Sequence, residues 1–161
     1  MLTAAQAWDI LGRVPDPEIP AISVTELGIV RDVQAAEDGV DVVVTPTYSG
    51  CPATEAIAQS IREALAAAGA IEVRVRQQLS PAWSTDWIAE DARERLRAYG
   101  IAPPGECDRG AERPLSFVPR VACPRCDSAD TERLSQFGST ACKALYRCRA
   151  CREPFEYFKP L

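Results

Sequence analysis

Apolar positions along the first hundred residues alternate between two spacings, one near four and one near two, separated by proline- and glycine-rich turns. Ala4, Ala7, Trp8 and Leu11 recur at helical spacing behind a Thr3–Gln6 capping box, which predicts a short amphipathic helix ending before Pro15. In Val14-Pro15-Asp16-Pro17-Glu18-Ile19-Pro20, three residues lack an N–H, so the segment is expected as a stiff extended loop presenting two carboxylates. Residues 28–33 and 40–44 read as strands, and the Glu37-Asp38-Gly39 turn between them implies an antiparallel hairpin. Ile57, Ile61 and Leu65 stack on one helical face, with Pro52 at the helix start and Gly69 suited to its C-terminal stop. Ile71, Val73 and Val75 alternate with Glu72, Arg74 and Arg76, as in a half-buried strand. A helix is expected from Thr85-Asp86-Trp87-Ile88 to Tyr99, stopped by Gly100.

The resulting order is α-β-β-α-β-α: an α/β (α+β) fold with a small mixed sheet, the strand-helix-strand passage forming a parallel crossover. The expected division is an α/β domain over 1–100, a linker over 101–118 rich in proline, glycine and mixed charge, and a small C-terminal ribbon over 119–161.

That ribbon is announced by Cys123-Pro-Arg-Cys126, 21 intervening residues, and Cys148-Arg-Ala-Cys151. Each pair sits in a short turn that lets two sulfurs face one ion, and the intervening segment suits a hairpin with 156–158 as third strand. Sulfur tetrahedra suit zinc or iron; zinc is the expectation, and a rubredoxin-like iron or a cluster is the alternative. So short a segment buries too little apolar surface to fold unaided, which favours a metal that replaces a core over one that performs chemistry.

Charge and composition narrow the function. The 161 residues carry 23 acidic and 18 basic groups and no histidine, which excludes Ser-His-Asp and Cys-His catalysis and any His-containing zinc site within the chain. Residues 1–118 hold 18 acidic and 10 basic groups, and 119–161 hold 5 acidic and 8 basic. Four thiolates on one divalent ion bring the tail near neutrality, a poor footprint for nucleic acid. No apolar run approaches the length of a membrane span, and the N-terminus lacks the pattern of a secretory signal, so the expected location is the cytoplasm. There, seven cysteines point to metal ligands and thiols rather than disulfides.

Cys51 lies in Thr47-Tyr48-Ser49-Gly50-Cys51-Pro52, at a helix start whose unpaired N–H groups favour negative charge. A thiol there can bind soft metals or react with electrophiles, or it can be a small residue in a tight turn; the spacing leaves both open. Asp16 and Glu18 could supply hard oxygen ligands, although capping contacts within their loop are the expectation. Cys142 is expected as a small buried side chain, with Lys143 nearby to favour a thiolate in the alternative. Cys107 reads as incidental, and Trp83 and Trp87 as packing residues.

Asp16-Pro17-Glu18-Ile19-Pro20, Leu27-Gly28-Ile29-Val30 and Thr47-x-x-Gly50-Cys51-Pro52 resemble the small domain of SufT-type iron–sulfur assembly factors. Pro81-Ala-Trp83-Ser-Thr-Asp86-Trp87-Ile88, Tyr99-Gly-Ile-Ala-Pro-Pro104 and Phe137-Gly-Ser-Thr-Ala-Cys-Lys-Ala-Leu-Tyr-Arg-Cys148 are similar to the PaaD family of phenylacetate degradation. The resemblance covers nearly the whole chain. It implies a non-catalytic accessory role in iron–sulfur supply to the reductase of the phenylacetyl-CoA epoxidase, whose cluster is of the plant [2Fe–2S] type. The alternative is a structural or electron-transfer subunit of that oxygenase. In this scheme Cys51 is the characteristic thiol, transiently binding iron or a cluster, with Asp16, Glu18 and Thr47 around it. The expected partners are the reductase or other epoxidase components; self-association is left open.

Overall fold

The computed structural model describes residues 2–105 and 120–161. It divides into two compact units, one up to Ala92 and one from Arg93 to Leu161.

In the first unit, α1 (Ala4–Leu11) starts with the expected reciprocal cap. The Gln6 N–H donates to Thr3 Oγ1 and the Thr3 N–H to Gln6 Oε1. Strands β1 (Val30–Ala35) and β2 (Gly39–Val44) form the antiparallel hairpin. Helix α2 (Ala53–Ala67) then crosses to β3 (Glu72–Gln77), which lies parallel to β2. The order in the sheet is β1-β2-β3.

The period-two pattern decides what the sheet buries. Val30 pairs with Val44 and Val33 with Val42, while Val73 and Val75 lie opposite Val40 and Val42. The Val30, Val33, Val40, Val42 and Val44 side chains are buried, as are Ile57, Ile61 and Leu65 of α2 and Ala7 and Leu11 of α1. Alternate positions carry Asp41 and Arg74, whose Nε–Oδ1 distance is 2.9 Å, so the opposite face is solvated. Helix α2 ends as expected, with Gly69 at φ +98°.

One helix differs from expectation. Residues 85–99 do not form a single helix: Thr85–Trp87 is one 3₁₀ turn, Ile88 is extended at ψ 127°, and α3 runs over Glu90–Tyr99. Tertiary contacts override local propensity here. Ile88 is buried, and the Ala89 N–H donates to Glu26 O at 2.9 Å instead of continuing the helix. Trp83 and Trp87 are packing residues. Trp83 is buried and its Nε1–H donates to Leu27 O at 3.0 Å, and Trp87 lies beneath the Arg31 guanidinium, 3.6 Å from its ring centroid.

In the second unit, β4 (Ile101–Ala102), β5 (Thr131–Ser135), β6 (Lys143–Cys148) and β7 (Pro154–Phe158) form a sheet in the order β4-β7-β6-β5. Strand β4 lies in the stretch expected as linker. Ile101 and Ala102 are buried and pair in parallel with Glu156 and Tyr157, so the apolar Ile-Ala pair completes the ribbon sheet. Residues 106–118 of that stretch, Cys107 among them, and residue 119 lie outside the described residues. Tyr146 centres the small core, stacked on Phe155 at 5.7 Å and edge-on to Tyr157 at 5.6 Å.

Candidate metal centre and thiol loop

The two cysteine pairs occupy matching turns. The Cys123 N–H donates to Ser128 O and the Cys148 N–H to Glu153 O, both at 3.0 Å. Four residues after each leading cysteine stands a left-handed residue, Asp127 at φ 62° and Arg152 at φ 67°. Each turn therefore reverses tightly enough to point two sulfurs the same way. Strand pairing brings the turns together, because β6 delivers Cys148 opposite Thr131 at the start of β5.

The four sulfurs lie within 4.8 Å of one another, with Cys123 and Cys151 at 3.8 Å and Cys126 and Cys148 at 3.5 Å. A tetrahedron with Zn–S bonds of about 2.3 Å has S–S edges of about 3.8 Å, so the donor set fits zinc. Cys123 and Cys148 are buried, whereas Cys126 and Cys151 are exposed. The Cys151 N–H, 3.5 Å from Cys148 Sγ, leads the effects that lower the Cys148 thiol to about 7. At Cys151 the Glu153 backbone pulls downward, but burial and the three neighbouring sulfurs prevail and push the thiol up to about 12. A cation is what allows all four to be thiolates at once. Among the described residues, no other set of three or more Cys, Asp or Glu donor atoms converges in this way. Cys142 stays apart: it is buried, 3.0 Å from Thr140 Oγ1.

In the first unit, Gly50 at φ +81° reverses the chain ahead of α2. This lets the Cys51 N–H donate to Tyr48 O at 3.2 Å, while Cys51 O accepts from Thr54 Oγ1 at 2.8 Å. The Cys51 side chain is partly exposed, and Thr47 Oγ1 lies 3.9 Å from its sulfur. Asp16 is buried, and its Oδ1 accepts the N–H groups of Glu18 and Ile19 at 2.9 and 2.8 Å. That is the contact of a loop cap, and among the described residues Asp16, Glu18 and Cys51 join no three-donor group.

A cavity of about 120 Å³ adjoins the Thr47 side of the loop, lined by Thr45–Ser49, Leu79, Ala82 and Trp83. Thr45 is 1% exposed, and its Oγ1 has no hydrogen-bond partner. Nothing in the sequence marks Thr45, since a threonine at a strand end reads as an ordinary β-branched residue.

The fold and site define a class: an iron–sulfur-assembly-type domain joined to a four-cysteine zinc ribbon. Residues 4–76 match the family described as iron-sulfur cluster assembly protein, and residues 110–159 match the PaaD zinc beta ribbon domain. An Escherichia coli K12 protein described as a putative subunit of 1,2-phenylacetyl-CoA epoxidase is 54% identical over 154 residues, covering 96% of this chain and 91% of that one. A DUF59 domain from Bacillus anthracis superposes with a TM-score of 0.54 at 27% identity, over 58% of this chain and 90% of that one. A conserved hypothetical protein from Thermotoga maritima gives 0.51 at 27% identity, over 59% and 94%. The chain belongs to the PaaD family.

Proposed function

We propose that this protein is a non-catalytic accessory factor of phenylacetyl-CoA epoxidation, acting in the cytoplasm to install or maintain the iron–sulfur cluster of the epoxidase reductase. The observation that carries the proposal is the thiol loop of the assembly-type domain. Cys51 is partly exposed at the start of α2, with the Thr47 hydroxyl beside it. The family relationship to an epoxidase subunit supports seeking the client among the components of that system.

In this reading Cys51 loses its proton on binding iron or a cluster as cargo, and a thiolate of the client later displaces it. The Thr47 hydroxyl stabilises the sulfur, and Asp16 and Glu18 shape the neighbouring loop rather than ligate. Zinc in the ribbon is held by Cys123, Cys126, Cys148 and Cys151. It supplies structure, and the ribbon carries the docking surface. Among the described residues, no helix is long and apolar enough to cross a membrane.

A second reading has one observation in its favour. The Escherichia coli relative is described as a subunit, which suits a protein retained in the working complex. Cells lacking the chain separate the two. Under the maturation reading, their reductase contains depleted iron and sulfide, and the Cys51→Ser variant fails to restore either although its ribbon keeps zinc. Normal cluster content in those cells contradicts it.

A further inference from the structure

The loop joining β5 to β6 is built on a buried ion pair and holds an aromatic ring in solvent. The Lys143 side chain is 3% exposed, and its Nζ donates to Glu156 Oε2 at 2.9 Å. The other carboxylate oxygen accepts the Ser139 N–H at 2.6 Å, and the Gly138 N–H donates to Lys143 O at 2.7 Å. A Cβ at Gly138 would lie 2.5 Å from Glu156 Oε1, so the loop backbone is packed directly onto the carboxylate. On its other side, Lys159 Nζ donates to Gln136 O at 3.0 Å. Burying an ammonium and a carboxylate is costly, and here the pair orders the backbone of the connecting loop.

That loop carries Phe137, 61% exposed, and follows Leu134, 50% exposed. The Phe137 N–H donates to Ser135 Oγ at 3.2 Å, and Lys159 Nζ stands 4.5 Å from the ring centroid. Arg133 is close enough to join burial in lowering the Lys159 ammonium, against the opposing effect of Cys142. A lone exposed apolar side chain needs no explanation. Phe137 differs because its backbone and ring are already held in place, which reduces the ordering cost of inserting it into a partner.

We propose that Phe137 is the docking anchor of the ribbon, inserting into an apolar socket rimmed by carboxylates on another component of the epoxidase system. The proposal rests on the accessory-factor reading and adds where the partner is held. Charge complementarity selects this occupant. Lys159 stands against the ring, so the socket needs an acidic group at its edge, while the net charge of −5 on the whole chain disfavours nucleic acid.

The test uses the full-length, zinc-loaded protein and its Phe137→Ser and Lys159→Glu variants, with binding to each purified epoxidase component measured over a range of salt concentrations. The wild type binds one component, and Phe137→Ser weakens that binding by at least about tenfold, chiefly through faster dissociation. Lys159→Glu also weakens it and lessens its dependence on salt. Both variants keep one zinc. Should Phe137→Ser lose zinc, Phe137→Leu replaces it, with a loss of a few-fold expected.

Wild-type binding that neither Phe137 variant weakens overturns the docking proposal and leaves the accessory role standing. Absence of wild-type binding to every component, the cluster-free reductase included, overturns both. Concentration-dependent dimers abolished by Phe137→Ser, or tight binding to a DNA duplex, assign the loop to another partner and contradict the proposal.

Discussion

Lys143 and Glu156 form an ion pair across β6 and β7, with Nζ and Oε2 at 2.9 Å and side-chain exposures of 3% and 23%. Removing the carboxylate leaves the Lys143 ammonium buried without its partner, whereas Glu156 without Lys143 keeps partial exposure and the Ser139 N–H. Glu156→Gln should destabilise the ribbon by about 2–4 kcal/mol, and Lys143→Met by less. Thermal unfolding of the zinc-loaded protein checks this; a loss below about 0.5 kcal/mol, the usual range for exposed sites, would contradict it.

The same pair sets a pH dependence. Burial alone raises the Glu156 carboxyl, but the Ser139 N–H and the Lys143 ammonium outweigh it and hold the group below its ordinary value of 4.5. Its contribution to stability is therefore complete above 4.5 and fades as pH falls through the lower folded value. Glu156→Gln should lose most stability relative to wild type above pH 4.5, and the two should converge in stronger acid. Denaturant midpoints measured across this window, at constant zinc, decide it.

Cys148 joins β6 to the metal site, so Cys148→Ser should remove a ligand and much of the ribbon fold together. Wild-type protein should contain about one zinc per chain, since structural zinc contributes folding free energy directly. Metal analysis and the near-ultraviolet signal of Tyr146 should fall in parallel. A metal-free ribbon with native stability would sink this account of the site.

Gly28 and Gly50 both have positive φ, +77° and +81°, but only Gly28 is crowded. A Cβ there would lie 2.8 Å from Trp87 Cβ, whereas at Gly50 it would meet nothing within 4 Å. Gly50→Ala should cost about 1 kcal/mol for the backbone alone, and Gly28→Ala distinctly more. Equal costs would mean that the Trp87 contact yields without penalty.

Among the described residues, Thr45 has a buried hydroxyl without a partner. Thr45→Val removes that polar group at nearly constant volume, so the protein should gain about 1 kcal/mol of stability. Destabilisation instead would show that a bound molecule satisfies the hydroxyl in solution.

Legibility in the sequence followed the range of the interactions involved. The Thr3 cap, the β1–β2 turn and the Gly69 stop are local, and each was readable from a few neighbouring residues. The ribbon cysteines were readable because metal ligation imposes a spacing. By contrast, Ile88 is pulled out of helix by a contact between its neighbour Ala89 and the distant Glu26, and Ile101–Ala102 acquires its strand identity from β7. The Lys143–Glu156 pair and the lone Thr45 hydroxyl are likewise defined by partners, or the lack of one, that only the folded chain reveals. Cys51 lies between these cases: its helix-start position and the capping by Asp16 are readable from the sequence, whereas the distance from Thr47 Oγ1 to its sulfur comes from the folded chain.

The central claim is that this protein acts before turnover, and reconstitution tests it most directly. Epoxidase and reductase, each carrying its full metal and cluster complement, are assayed for phenylacetyl-CoA epoxidation with and without stoichiometric amounts of this chain. The account predicts equal rates in the two assays, because a preloaded reductase needs no further cluster delivery. A rate that rises with added chain and saturates at a fixed ratio to the other components would contradict it and establish a working subunit instead.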